Sequence, residues 1–208
     1  MKILVFDTET TGLPTEKDAS IYNTQKWPHI IQLSYILYNT DNDEIITIED
    51  DYINIDPNIN ISKESQEIHN ITREMLDKGI NIIDALEKFN YFSSVSDLLV
   101  GHNISFDKRM IFVEGIRNKI HMNITDTYCT MKNCAEFYGY QIPVKTGKIY
   151  YKYPKLNELY KKLFNKIPKN THNSLIDVLL CLRCFCQYEL KKDVTRTNRT
   201  LRYMIRQN

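Results

Sequence analysis

Residues 3–14 have the sequence Ile-Leu-Val-Phe-Asp-Thr-Glu-Thr-Thr-Gly-Leu-Pro, in which an apolar run leads into two carboxylates. The run at 3–6 predicts a short buried strand, and Gly12 predicts a tight turn after it. Asp7 and Glu9 are two residues apart, so a strand places both side chains on one face. Two neighbouring carboxylates repel each other unless a cation lies between them, and oxygen ligands suit Mg²⁺ or Mn²⁺. The stretch therefore predicts a strand that ends at a divalent-metal site.

Two more strands are predicted directly after this region, at residues 30–38 and 44–55. Both are rich in β-branched and aromatic residues, and the second alternates clearly from Ile46 and Ile48. Residues 39–43 between them form a predicted turn. Three strands in succession predict an antiparallel meander.

Beyond residue 60 the apolar residues recur at helical spacing, which is clearest at positions 82, 83, 86 and 89. Residues 139–154, which contain two prolines, two glycines and four tyrosines, predict a long loop. Strands that alternate with helices predict an α/β fold, with a mixed sheet flanked by helices. Helices are predicted at 62–68, 72–79, 81–92, 103–117, 127–137, 155–164 and 173–190, and strands at 98–101 and around Ile124.

Two further chemical signals lie at predicted helix starts. Asp107 ends the segment Gly101-His-Asn-x-x-Phe-Asp and lies about one turn into a helix, where an acid alone would indicate only a favourable helix dipole. His172 and Asp177 lie at the start of the last long helix, where they would alone indicate a cap and a surface charge. Their spacing also lets a carboxylate bind a metal while the imidazole reaches a nearby water.

Length and composition predict one ordinary globular domain. The chain has 208 residues, 42% hydrophobic and 25% charged, and its 27 basic and 26 acidic residues leave the partner undetermined. Its five cysteines, an odd number, predict reduced thiols, and Cys181, Cys184 and Cys186 fit core positions better than a zinc site. No apolar stretch approaches a membrane span or a signal peptide. We therefore expect an intracellular protein. It would be cytoplasmic or, if the abundance of Asn, Ile, Lys and Tyr, whose codons are A/T-rich, reflects a viral genome, in the interior of a host cell.

The three signals form one pattern that resembles the DEDDh group of 3′–5′ exonucleases, the DnaQ-like enzymes of the RNase H-like superfamily. The resemblance covers about residues 1–190 of this chain. Within the group, the chain resembles stand-alone proofreading-type exonucleases. Other segments also look like the family; they begin at Trp27, Ile68 and Pro154. The resemblance implies an exonuclease domain at 1–190, a basic tail at 191–208 and a five-stranded RNase H-like sheet, with three antiparallel strands followed by parallel ones.

The resemblance also implies the roles of individual residues. Two divalent cations, Mg²⁺ or Mn²⁺, would be held by acidic residues, and His172 would be the general base. The enzyme would hydrolyse phosphodiester bonds by two-metal-ion catalysis and release nucleoside 5′-monophosphates. Thr10 and Leu13 would touch the terminal nucleotide, and Asn103 and Phe106 would line or support the site. The implied metal ligands are Asp7, Glu9, Asp107 and Asp177.

The expected partner is the single-stranded 3′ end of a nucleic acid, with a polymerase or other replication protein as a separate subunit and no membrane. Thr10 favours DNA over RNA modestly, because the oligoribonuclease branch typically has Met at that position. A 3′–5′ exoribonuclease is the first alternative. A non-catalytic nucleic-acid-binding or polymerase-associated module is the second, although such proteins usually lose acidic ligands.

Two basic segments remain open at the level of sequence. The tail at 191–208 carries six Lys and Arg residues against Asp193, which fits either phosphate contacts or a solvated helix. Tyrosines at 150, 151 and 153 interleave with lysines at 148, 152 and 155, which fits either a platform for a single strand or a packed loop.

Overall fold

The computed structural model describes residues 1–124, 126–143, 149–169 and 171–207. In these ranges a five-stranded sheet has the order β3-β2-β1-β4-β5. The strands β1, β2 and β3 pair antiparallel, whereas β1 with β4 and β4 with β5 pair parallel. The predicted mixed sheet is therefore confirmed. Its strands are β1 (Lys2–Thr10), β2 (Ile30–Asn39), β3 (Glu44–Tyr52), β4 (Leu98–Gly101) and β5 (Thr127–Cys129).

The helices begin at side chains that cap their free amide groups. Ser62, Thr72, Asn81 and Asn173 each accept a hydrogen bond from a backbone amide of the first turn. These local signals explain why the predicted starts of these four helices agree with the structure within about two residues. The helices are α1 (Lys63–His69), α2 (Arg73–Asp77), α3 (Ile82–Ser94), α4 (Ser105–Asn118), α5 (Thr130–Asn133), α6 (Ala135–Tyr138), α7 (Leu156–Phe164), α8 (Ser174–Glu189), α9 (Val194–Thr197) and α10 (Arg199–Gln207).

Strand β1 is buried on both faces and divides the core into two layers. Leu4 and Phe6 pack with α3 and α4, and the Phe6 ring meets Phe89 edge to face at 5.1 Å. Ile3 and Val5 pack with α8 on the other face. Because side chains alternate along a strand, the odd-numbered residues that follow also face α8. Asp7 and Glu9 are both odd-numbered, so this alternation places both carboxylates on the side of the sheet that faces α8.

The strand predicted around Ile124 was placed too early, and the helix predicted at 127–137 was wrong at its start. Residues Thr127–Cys129 form β5, and the helical residues begin at Thr130 and divide into α5 and α6 at Cys134. The strand is positioned by its pairing with β4, including the bond from the Leu99 amide to the Asp126 carbonyl (2.9 Å). This short strand shows no apolar alternation that local sequence could reveal.

The loop predicted at 139–154 contains two paired segments. Strands β6 (Gln141–Pro143) and β7 (Ile149–Tyr151) form an antiparallel hairpin, while residues 144–148 lie outside the described residues. The Lys152 amide extends the pairing to the Tyr140 carbonyl at 2.8 Å. The hairpin is exposed on both faces, so no alternating burial pattern marked it in the sequence.

The C-terminal segment is docked on the domain. Val194, Leu201 and Ile205 are buried in the same apolar cluster as Val178 and Phe185 of α8. The basic side chains of this segment are therefore carried by helices in fixed contact with the sheet layer. The predicted domain boundary at residue 190 stays a prediction.

Two expectations drawn from composition concern thiols and membranes. All five cysteines are buried free thiols, and the three on α8 lie in the core, as predicted. None of the helices in the described ranges combines the length and the apolar character that crossing a bilayer requires.

Candidate active site

Three carboxylates meet where the end of β1 passes the start of α8. Oxygen atoms of Asp7, Glu9 and Asp177 all lie within 4.8 Å of one another. The Ser174 hydroxyl ties the two elements together, since it donates to the Asp7 carbonyl at 2.7 Å. The fold thus brings together the first and third sequence signals, which are separated by most of the chain.

Asp107 lies beside this group, on the α4 side of β1. Its Oδ1 accepts hydrogen bonds from the amide (3.1 Å) and the hydroxyl (2.8 Å) of Thr8. Strand β4 pairs with β1 only as far as Val5, so the Thr8 amide has no strand partner on that side. Asp107 supplies the missing acceptor, which fixes its carboxylate next to the other three.

The pKa values of all four carboxyl groups are raised, above all by burial. The pKa of Glu9 rises to about 8 and those of Asp107 and Asp177 to about 6, while that of Asp7 is also well above its usual range. Repulsion between the acids adds to the effect at Asp7 and Glu9. Among the described residues, the buried Oδ1 of Asp177 has no hydrogen-bond partner. No lysine or arginine forms an ion pair with these acids in the described part of the chain, and their oxygen atoms fit a divalent cation.

His172 is held next to Asp177 by the backbone. Its φ is 73°, in the left-handed region, and its amide donates to Asp177 Oδ2 at 3.2 Å. The side chain is exposed and lines a cleft of about 460 Å³ together with Asp7 and Asp177. An imidazole in this place can exchange a proton with a molecule bound beside the carboxylates.

The four residues predicted to contact substrate lie in two clefts on either side of the acids. Thr10, Leu13 and Phe106 line a cleft of about 490 Å³ that Glu9 also borders. Leu13 is 79% exposed at its rim, whereas Thr10 is buried and its hydroxyl donates to the Gly12 carbonyl at 2.7 Å. Asn103, with φ 67°, lines the cleft of His172 instead. The structure therefore brings together three of the four.

Two buried polar side chains around the site were not singled out from the sequence as site residues. His69 lines the cleft of Leu13, and its Nδ1 accepts a bond from the Ile71 amide (2.9 Å). Gln32 is fully buried, and its Oε1 accepts from the amide of Ser174 at 3.4 Å. For Gln32, the signal in the sequence was a polar amide side chain inside a largely apolar predicted strand.

The comparisons with known proteins agree with this geometry. A family model described as exonuclease, of the RNase T type, matches residues 4–185. The chain belongs to the exonuclease family. Within the curated proteins, this exonuclease resembles the PolC-type DNA polymerase III of Listeria welshimeri, with 32% identity over 174 residues. The match includes 83% of the chain and 10% of the relative, so the chain spans about a tenth of the curated relatives it matches.

Solved structures similar to this exonuclease have the same fold. The nuclease domain of 3′hExo, a DEDDh family member bound to rAMP, has a TM-score of 0.65 and 15% identity, with 93% of this chain and 94% of that one covered. E. coli Exonuclease I in complex with a dT13 oligonucleotide has a TM-score of 0.68 and 15% identity, with 98% and 45% covered. The predicted exonuclease family and its fold are therefore confirmed, and with the family the enzyme class, an exonuclease.

Proposed function

We propose that this exonuclease removes nucleotides one at a time from the 3′ end of single-stranded DNA and releases nucleoside 5′-monophosphates. The observation that carries the proposal is the group formed by Asp7, Glu9 and Asp177, in which a buried oxygen of Asp177 has no hydrogen-bond partner among the described residues. This group lies between two clefts, so a strand can enter on one side while its terminal nucleotide occupies the other.

Two divalent cations, Mg²⁺ or Mn²⁺, are the proposed cofactors. Asp7, Glu9 and Asp177 would hold them together with the neighbouring Asp107, because these buried acids repel one another and, among the described residues, form no ion pair with a lysine or arginine. When bound, such cations neutralise charge on the scissile phosphate and increase the acidity of a water molecule. Since the carboxylates serve as ligands, none is free to attack, and we expect no covalent intermediate.

His172 is the proposed general base. Its exposed side chain can reach solvent in the cleft, and the bond from its amide to Asp177 keeps it beside the reacting phosphate. Imidazole accepts a proton from the attacking water while the 3′-oxygen of the next nucleotide leaves. The residue thereby links the carboxylate group to proton transfer.

The cleft of Leu13 is the proposed site of the terminal nucleotide. Leu13 and Phe106 offer an apolar surface for the base, and His69 adds a polar group to the same wall. Because Nδ1 of His69 accepts a backbone hydrogen bond, the neutral ring carries its proton on Nε2 and can donate it. Asn103 would contact the strand in the other cleft.

DNA is the proposed substrate, and a polymerase is the proposed partner in proofreading. Thr10 occupies the position that favours DNA, and the 32% identity with a DNA polymerase III supports the same choice. The non-catalytic module is disfavoured, because all four acids and His172 are present.

The test uses 5′-labelled single-stranded DNA and RNA of equal sequence, with Mg²⁺, Mn²⁺ or EDTA. We expect products that shorten from the 3′ end of DNA in either metal and no products in EDTA. Asp177→Asn should abolish cleavage because it removes a charged ligand, whereas Glu87→Gln, an exposed position on α3, should cleave like the unaltered protein.

The same assay separates the alternatives. Faster shortening of RNA than of DNA would make the protein an exoribonuclease. Tight binding of either strand without cleavage in any metal would contradict the enzyme and favour a binding module.

A further inference from the structure

A cavity larger than either cleft beside the carboxylates lies away from them and is strongly basic. It has a volume of about 650 Å³ and lies between the end of α7, the middle of α8 and the C-terminal helices. We name it the basic pocket. Its charged lining residues are Lys166, Arg183, Asp193, Arg196, Arg202 and Arg206.

Among the described lining residues of the basic pocket, Asp193 carries the one carboxylate, and it already accepts four hydrogen bonds. Asp193 receives two bonds from Arg183, at 2.9 and 2.8 Å, and two more from the amide and the hydroxyl of Thr195. These bonds hold the pKa of Asp193 at about 2, although burial acts in the opposite direction. Asp193 is therefore not free to neutralise any further cation.

The remaining cations of the pocket have no acidic partner in the part of the chain that the structure describes. The ion pairs there involve none of Lys166, Arg196, Arg202 and Arg206. Four unpaired cations around one cavity create a local positive potential that the balanced total composition conceals. Such a site attracts a ligand with several negative charges.

Two of the arginines that line the basic pocket, Arg183 and Arg202, are held in fixed orientations. The Arg183 guanidinium stacks on the Phe164 ring at 3.8 Å and donates a hydrogen bond to the Tyr160 hydroxyl. These two contacts hold the guanidinium in place at the floor of the basic pocket. Arg202 donates to the carbonyls of Thr195 (2.6 Å) and Arg196 (2.8 Å), which holds its guanidinium at the rim. A planar guanidinium group that is held in place fits the paired oxygen atoms of a phosphate better than it fits a single point charge.

We propose that the basic pocket is a second nucleic-acid-binding site, which holds backbone phosphates of the strand whose 3′ end lies at the carboxylates. This inference rests on the proposed function, because it takes the ligand to be a nucleic-acid strand. Helix α8 connects the two places: Asp177 precedes Arg183 by six residues and Gln187 by ten. At 1.5 Å per residue these steps correspond to about 9 and about 15 Å along the helix axis. Only a strand of several nucleotides can span both sites, so the pocket favours long substrates over short ones.

The test compares two double variants that remove equal charge. Arg196→Gln/Arg206→Gln alters the pocket, and Lys161→Gln/Arg199→Gln alters exposed positions on α7 and α10 that do not line it. Binding of a single-stranded DNA of about 20 nucleotides is measured in EDTA across a range of salt concentrations, so that no cleavage is needed. Hydrolysis of a dinucleotide in Mn²⁺ is measured in parallel.

We expect the pocket variant to bind the long strand on the order of tenfold more weakly at low salt, with the slope of log K against log salt reduced by about 1.4, about 0.7 for each lost phosphate contact. Its dinucleotide hydrolysis should equal that of the control. Lys166→Gln, on a different segment, should weaken binding in the same direction and guards against misfolding of the double variant.

Two outcomes would overturn the inference: equal binding of the long strand by the pocket and control variants, or a loss of dinucleotide hydrolysis in the pocket variant as large as its loss of long-strand binding. Pocket-dependent binding by a protein that cleaves neither substrate would support the site while contradicting the proposed function.

Discussion

At the scale of single residues, backbone conformation positions His172 more than any contact of its ring does. The residue precedes α8 with φ 73°, and its amide, rather than its imidazole, bonds Asp177. A non-glycine residue in the left-handed region is uncommon and costs conformational energy. The carboxylate that accepts this amide offsets part of that cost and orients the ring towards the cleft.

For His172→Gln we expect kcat to fall by about 10²- to 10⁴-fold, with KM nearly unchanged, because the variant loses the base and keeps the binding clefts. His121→Gln, at another exposed histidine, is the control. Steady-state hydrolysis of labelled DNA over a range of substrate concentrations measures both. A variant that retains full activity would show that another group accepts the proton.

Leu13 is a large apolar side chain left 79% exposed at the rim of a cleft. For Leu13→Ala we expect a severalfold higher KM for single-stranded DNA and an unchanged free energy of unfolding, since little apolar surface is buried there in the free protein. Val95→Ala, exposed at the end of α3, is the matched control. If Leu13→Ala instead lowered the free energy of unfolding as much as truncation of a core side chain does, and left KM unchanged, a role in contacting nucleotides would be contradicted.

At the scale of elements, a buried polar network docks the start of α8 on the sheet. Gln32 on β2 accepts from the Ser174 amide and donates to Asp50 on β3 at 2.7 Å. The Ser174 hydroxyl continues the network to the Asp7 carbonyl. Because buried polar groups are costly when unpaired, this network allows few orientations of α8. It thereby sets where Asp177 meets Asp7.

Ser174→Ala should lower the free energy of unfolding by about 0.5–1.5 kcal/mol, the usual contribution of one hydrogen bond. We also expect a higher Mn²⁺ concentration for half-maximal activity, because the carboxylates of β1 and α8 are no longer held in register. Ser94→Ala removes an exposed hydroxyl on α3 and is the control. A loss of stability with an unchanged Mn²⁺ requirement would limit Ser174 to a structural role.

At the scale of the whole molecule, the carboxylate group makes stability depend on pH and metal. Glu9 has a folded pKa of about 8, above its value in an unfolded chain, so the folded protein binds more protons in this range. Its contribution is present at low pH and is lost as the pH rises through 8. Burial lowers the pKa of His102 to about 4, which acts in the opposite direction, but only up to its unfolded value near 6.5.

We therefore expect the free energy of unfolding in EDTA to fall by about 2 kcal/mol between pH 6.5 and 8.5. Mn²⁺ should remove this decline, since a cation stabilises the ionised acids, and Glu9→Gln should flatten it without metal. Urea unfolding at several pH values measures the effect, with Glu87→Gln as control. The same decline in Glu9→Gln as in the unaltered protein would contradict this origin.

Local sequence was sufficient for most of the architecture and for the acids of the site. The apolar run of β1, the caps of α1 to α3 and α8 and the motifs around Asp7, Asp107 and Asp177 are short-range signals. Periodicity and capping depend on residues within one or two turns of each other, so they can be read from a single segment.

Tertiary structure alone decided the features that depend on contacts between distant segments. Pairing with β4 placed β5 at Thr127–Cys129. Because β4 pairs with β1 only as far as Val5, the Thr8 amide bonds Asp107 instead, which holds this acid beside the group of three. Docking on α8 converted a basic tail into one wall of the basic pocket. The sequence determined which residues carry charge and chemistry. Only the packed chain determined which of them share a cavity, because that depends on three-dimensional proximity between segments that sequence spacing does not report.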